Sequence, residues 1–119
     1  MLKLCDSDYR FMGVIWDNEP LKSGELARLC FEQLGWKKST TYTCIRKLCE
    51  KGYIENNGAV VRSLISREEA QVNETGLFVE RTFDGSLPMF VSAFMKSRKL
   101  SDKDVLEIRK LIDEYEEEK

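Results

Sequence analysis

The chain has no histidine and only two prolines among its 119 residues. Without imidazole it lacks the commonest general base and metal ligand, and every catalytic triad built on that ring is excluded. No apolar run is long enough to cross a bilayer, and the opening Met1-Leu2-Lys3-Leu4-Cys5-Asp6 lacks the apolar core of a secretory signal. The expectation is a cytoplasmic protein with no membrane insertion, its cysteines reduced. No two cysteines are spaced C-x-x-C, so Cys5, Cys30, Cys44 and Cys49 match no zinc pattern and read as small buried hydrophobes. No metal and no cofactor are expected. A Gly-rich phosphate loop and a nucleophile elbow are also missing. Glu68-Glu69 and Asp102 with Asp104 sit at helix starts, where acids favour the macrodipole without doing chemistry. The chain does not read as an enzyme.

What is present is foldable: 42% apolar, 34% charged and 10% aromatic residues, enough for one domain or two small modules. The net charge of −2 hides an asymmetry. Residues 1–65 hold ten Lys/Arg against eight Asp/Glu, while residues 66–119 hold nine against thirteen. Between Trp36 and Lys51 lie Lys37, Lys38, Arg46, Lys47 and Lys51 against the single acid Glu50. A basic helix on an acidic protein is the footprint of local phosphate contact.

Periodicity predicts a first helix from Asp6-Ser7-Asp8, any of which can cap it, to Trp16, with Tyr9, Met12, Ile15 and Trp16 inward. Ser23 is placed as the cap of a second helix ending at Leu34-Gly35. A third runs from Lys38-Ser39-Thr40 to Lys51-Gly52, with Thr41, Cys44, Ile45 and Leu48 inward. The period then switches: Tyr53-Ile54-Glu55 is a strand, Asn56-Asn57-Gly58 a turn, and Ala59 to Leu64 the returning strand. Ser66-Arg67-Glu68-Glu69 opens a helix to Phe83, Leu87 to Met95 is apolar on all sides, and Ser101 caps a last amphipathic helix. The fold class is mostly α with a small β wing. A winged helix-turn-helix DNA-binding domain over residues 1–65 is followed by a three-helix dimerisation domain over 66–119.

The outward face of the third helix carries the chemistry. Lys38, Ser39, Thr40, Tyr42, Thr43, Arg46 and Lys47 can meet phosphates or base edges, and Arg62 on the wing can add a phosphate or minor-groove contact. Three helices from some fifty residues make too thin a layer to bury their own apolar faces. Leu87, Phe90, Val91, Phe94, Val105, Ile108 and Ile112 are therefore placed in a homodimer interface. These features together describe a homodimeric reader of double-stranded DNA. Two other classes fit the same residues: a winged-helix protein-interaction adaptor whose basic helix meets an acidic partner, and a redox-responsive regulator using the cysteines.

Four segments resemble the penicillinase-repressor family: Tyr9-Arg10-Phe11-Met12-Gly13-Val14-Ile15-Trp16, Glu19-Pro20-Leu21, Gly35 to Thr43, and Leu48-Cys49-Glu50-Lys51-Gly52-Tyr53-Ile54. Phe83-Asp84-Gly85-Ser86-Leu87 and Lys99-Leu100-Ser101 extend the resemblance over nearly the whole chain. It implies a dimeric winged-helix repressor whose third helix enters the major groove and whose last three helices interlock two protomers. In the family's β-lactam branch a membrane sensor triggers proteolysis at an Asn-Phe bond, and the corresponding pair here is Ala93-Phe94. The resemblance thus implies a regulatory protease or membrane sensor as a further partner. The C-terminal cysteine cluster of the copper branch has no counterpart, since no cysteine follows Cys49. Val61-Arg62-Ser63 stands where Tyr-Ser-Pro is common, and Tyr42 where a basic residue is usual.

Overall fold

In the computed structural model, which describes residues 4–118, the order is α1 (Asp6–Asn18), β1 (Leu21–Lys22), α2 (Ser23–Leu34), α3 (Lys38–Glu50), β2 (Ile54–Asn57), β3 (Val60–Ser63), α4 (Arg67–Phe83), α5 (Leu87–Ser97) and α6 (Asp102–Glu118). The chain is mostly helical with a small wing, as its periodicity predicts. None of the described helices is long and apolar enough to cross a membrane.

The first three helices and the sheet enclose one core. Phe11, Met12, Ile15, Leu26, Cys30, Leu48, Ile54 and Val61 are among its fully buried members. Each large apolar side chain so buried contributes about 1.5–3 kcal/mol relative to exposure. The buried stripe of α1 is wider than sequence spacing suggests: Phe11 and Val14 join it, while Tyr9 and Trp16 are half-buried and meet edge to face at 5.6 Å. The reason is that α1 packs on two sides, against α2 and against β3. Phe11 also stacks on Trp36, which links the end of α2 to the start of α3, with centroids 5.5 Å apart.

Two expected caps are replaced. The N-cap of α1 is Cys5, whose side chain makes no capping bond, and Asp8 turns into the protein instead. Lys22 occupies the N-cap of α2, and Ser23 is its first helical residue. The backbone is committed there because β1, too short to be read from sequence, pairs antiparallel with β3, and the Ser23 amide donates to the Ala59 carbonyl at 2.8 Å. The sheet order is β1-β3-β2. Asn56 and Asn57 belong to β2, and the turn is made by Gly58 and Ala59 at φ 58° and 65°. Positive φ at both central residues is the type I′ geometry whose twist matches a two-residue hairpin.

At the end of α3 the Gly52 amide donates to the Cys49 carbonyl and the Tyr53 amide to the Leu48 carbonyl, each at 3.0 Å. Gly52 has φ 81°, so the helix closes in a Schellman motif that delivers the chain directly into β2. The capping box of α4 is present as expected: Ser66 Oγ accepts from the Glu69 amide at 3.0 Å, and Glu69 Oε1 accepts from the Ser66 amide at 3.3 Å.

The chain divides into two compact units inside α4, Met1–Thr75 and Gly76–Lys119. This division lies beyond Ser66 because the first turns of α4 pack with the winged helix: Ala70 is fully buried, and Arg67 donates to Asp17 Oδ1 at 2.6 Å. In the second unit, Phe78, Phe83, Phe90 and Phe94 form a chain of ring contacts at 5.6–6.3 Å. Ser86 and Ser101 cap α5 and α6 through the Met89 and Asp104 amides. Neither α5 nor α6 has a fully buried residue.

Candidate nucleic-acid interface

The amphipathic period of α3 decides what it presents. Thr41, Cys44, Ile45 and Leu48 are buried, which leaves the other side of the helix in solvent. That side resolves into two rows at i, i+4 spacing: Lys38, Tyr42 and Arg46, and beside it Ser39, Thr43 and Lys47. All six are exposed, as is Thr40.

The first row carries unpaired charge. The Lys38 ammonium lies 5.9 Å from the Tyr42 ring centroid, a cation–π approach that orders the lysine without neutralising it. Arg46 makes no ion pair among the described residues.

The second row borders a cleft of 440 Å³ whose lining also includes Ser7, Asp8, Trp36, Thr40 and Cys44. Here the charge is paired. Lys47 Nζ lies 2.7 Å from Asp8 Oδ1, and Cys44 Sγ donates to the same oxygen at 3.7 Å. Asp8 is only 3% exposed. Burial acts to raise its pKa, but contacts with Lys47, Cys5 and Cys44 outweigh that and hold the carboxyl below its usual value. The Asp8 hydrogen bond in turn raises the Lys47 pKa. Burial, reinforced by the Asp8 charge, pushes the Cys44 thiol up to about 12. A thiol so held stays protonated at neutral pH and is a poor nucleophile.

The wing places Arg62 in solvent on β3, directly across the ladder from Glu55. Its root is pinned by Glu19, whose Oε1 accepts from the Ser63 amide and hydroxyl, both at 2.8 Å. Sequence reading missed Asp8 and Glu19 because each acts on a partner remote in the chain. The only available signal was an acid beside an apolar stripe. The four cysteines are free, and the described residues contain no cluster of three or more metal-ligating side chains.

The residues assigned to a dimer interface keep much of their surface free. Leu87, Val91, Phe94, Ile108 and Ile112 are exposed, Ile112 at 54%, while Phe90 and Val105 are half-buried. Ala93 is half-buried and Phe94 exposed, both within the helical span of α5.

The family model described as penicillinase repressor matches residues 4–114. Among curated proteins, the chain is 21% identical to methicillin resistance regulatory protein MecI of Staphylococcus aureus (strain Mu50), over 92% of this chain and 93% of that protein. It is 22% identical to the penicillinase repressor of Bacillus licheniformis, over 98% of this chain and 94% of the relative. With MecI of Mammaliicoccus sciuri the identity is 20%, over 92% and 93% of the two chains. A winged helix-turn-helix with a basic third helix, matched by this model over nearly the whole chain, settles the assignment: the chain belongs to the penicillinase repressor family of DNA-binding transcriptional repressors.

Proposed function

We propose that this protein is a cytoplasmic homodimeric repressor that reads a palindromic operator through α3. The observation that carries the reading is the solvent face of α3, where Lys38 and Arg46 make no ion pair among the described residues and stand beside a row of hydroxyls. Lys38 and Arg46 suit phosphate or guanine, Ser39, Thr40 and Thr43 suit phosphates or base edges, and Tyr42 suits a thymine methyl or a phosphate. Lys47 lies on the same face with its ammonium shared with Asp8. Arg62 supplies the wing contact. Residues 1–65 form the reading head and residues 66–119 the dimerisation domain. Leu87, Phe90, Val91, Phe94, Val105, Ile108 and Ile112 meet their copies across the dimer axis.

Dimerisation is supported by the apolar surface left on α5 and α6, which a polar partner would not cover. Two joined heads bind cooperatively because the second half-site is met at an effective concentration near millimolar for a short tether. The half-sites then lie about one DNA turn apart, ~34–36 Å, or a multiple of it. The Ala93–Phe94 bond stands at the position where a regulatory protease, driven by a membrane sensor, would act, and with Ala93 in place of asparagine it should resist a protease that requires Asn before the cleaved bond. Because the bond is helical, α5 must unwind locally before cleavage. Recovery of a fragment ending at Ala93 from induced cells supports that route, and an intact chain in induced cells removes it.

Footprinting over the protein's own upstream region, with unrelated DNA as competitor, tests the central reading. A protected inverted repeat that survives competitor supports it. Binding abolished equally by any DNA, with no protected site, overturns it.

A further inference from the structure

We propose that Asp8 is a positioning residue for DNA reading: it holds the Lys47 ammonium against the α3 cleft and cancels its charge there. The inference rests on the reading of α3 as the DNA-facing helix, and concerns which of its cations act on phosphate.

The geometry is specific. Asp8 sits in the first turn of α1, nearly wholly buried, while Lys47 remains partly exposed at the lip of the cleft. Their oxygen and nitrogen are 2.7 Å apart, and the Cys44 thiol closes on the same carboxylate oxygen. Asp8 is the only buried carboxylate among the described residues. Lys47 cannot leave for a phosphate without stranding that charge in a poorly solvated place. A phosphate approaching the cleft therefore meets a neutral pair framed by Ser39, Thr40 and Thr43.

The consequence is a division of labour between the two rows of α3. Lys38 and Arg46 provide attraction that every DNA sequence shares. The Ser39–Thr43–Lys47 row provides hydrogen-bonding groups with no net charge, which favours discrimination over general affinity. Removing the Asp8 charge would free Lys47 to hold a phosphate of any sequence.

A charge cycle in the full-length protein tests this, with a DNA duplex of random sequence as probe and melting curves to confirm folding. Asp8→Asn is expected to bind that duplex more tightly at low salt and to steepen the log K against log salt slope by about 0.9 per bound protomer. Asp8→Asn/Lys47→Gln, which has the wild-type formal charge, is expected to keep the wild-type slope whatever its affinity. If Lys47 itself neutralises a phosphate, Asp8→Asn leaves the slope unchanged and the double variant loses about 0.9. That outcome overturns the proposal. Should Asp8→Asn fail to fold, Asp8→Ser takes its place, with the same slope expected and the same result overturning the proposal. A merely structural Asp8 would alter melting and leave both slopes at the wild-type value, and an unchanged slope in folded Asp8→Asn equally overturns the proposal. A wild-type protein with no salt-dependent DNA binding overturns the underlying reading of α3, and is distinguishable from every outcome above.

Discussion

The carboxylate of Asp8 and the ammonium of Lys47 meet at 2.7 Å although they lie 39 residues apart, joining the first turn of α1 to the last turn of α3. Because the Asp8 pKa is lowered in the folded state, its contribution to stability is fully present above the unfolded value near 3.9. It is lost as pH falls through the lower folded value. Thermal melting between pH 7 and pH 2 should show wild type losing stability below about pH 4, with part of that loss absent in Asp8→Asn. Identical pH profiles would remove the ion pair as a source of acid sensitivity. Asp8→Ala should cost roughly 2–3 kcal/mol, less than a fully buried pair because Lys47 is 44% exposed on its side chain.

Thr43 and Arg46 stand in different rows of α3 and should fail differently. If each touches a base edge, Thr43→Ala and Arg46→Ala weaken operator binding by about 1–3 kcal/mol each. Arg46→Ala should also flatten the salt dependence, whereas Thr43→Ala should leave it unchanged. Operator titrations at several salt concentrations measure both, and unaltered affinity in both variants would sink the assignment of α3.

Ile112 is a cleaner probe of dimerisation than Phe90, since Phe90 also packs in the aromatic cluster of its own unit. Ile112→Asp should keep the helical signal while shifting the sedimentation coefficient from dimer to monomer at micromolar concentration. It should also lose the affinity advantage of a full palindrome over one half-site. A wild-type monomer that binds both targets equally would refute the interface.

The cysteines offer a reading of the core by chemistry alone. In native protein at neutral pH, iodoacetamide should label exposed Cys5 and spare buried Cys30 and Cys44. Mass spectrometry should find the latter two modified only after denaturation. Rapid native labelling of Cys44 would show that the thiol leaves its place beside Asp8.

The inward stripe Thr41, Cys44, Ile45 and Leu48 was legible in full because helical periodicity is a local property. The same holds for the Ser66–Glu69 capping box and for Ser101, whose partners lie three residues away. What could not be read are pairings set by the tertiary fold. Nothing near Asp8 announces Lys47, nothing near Glu19 announces Ser63, and β1 is two residues long and exists only because β3 lies beside it. The seven positions assigned to α3 contacts all face solvent, but their division into a charged row and a neutralised row required Asp8 in place.

The two ends of the wing tolerate change unequally. At its root, the left-handed turn at Gly52 uses the last carbonyls of α3 to launch β2, so one inserted residue would shift every strand side chain to the opposite face. At its tip, Gly58 and Ala59 are exposed. Extra residues there would lengthen the hairpin without disturbing the helix behind it. A homologous repressor with a longer reach toward DNA could thus arise by insertion at the tip alone, the root keeping its length and its glycine.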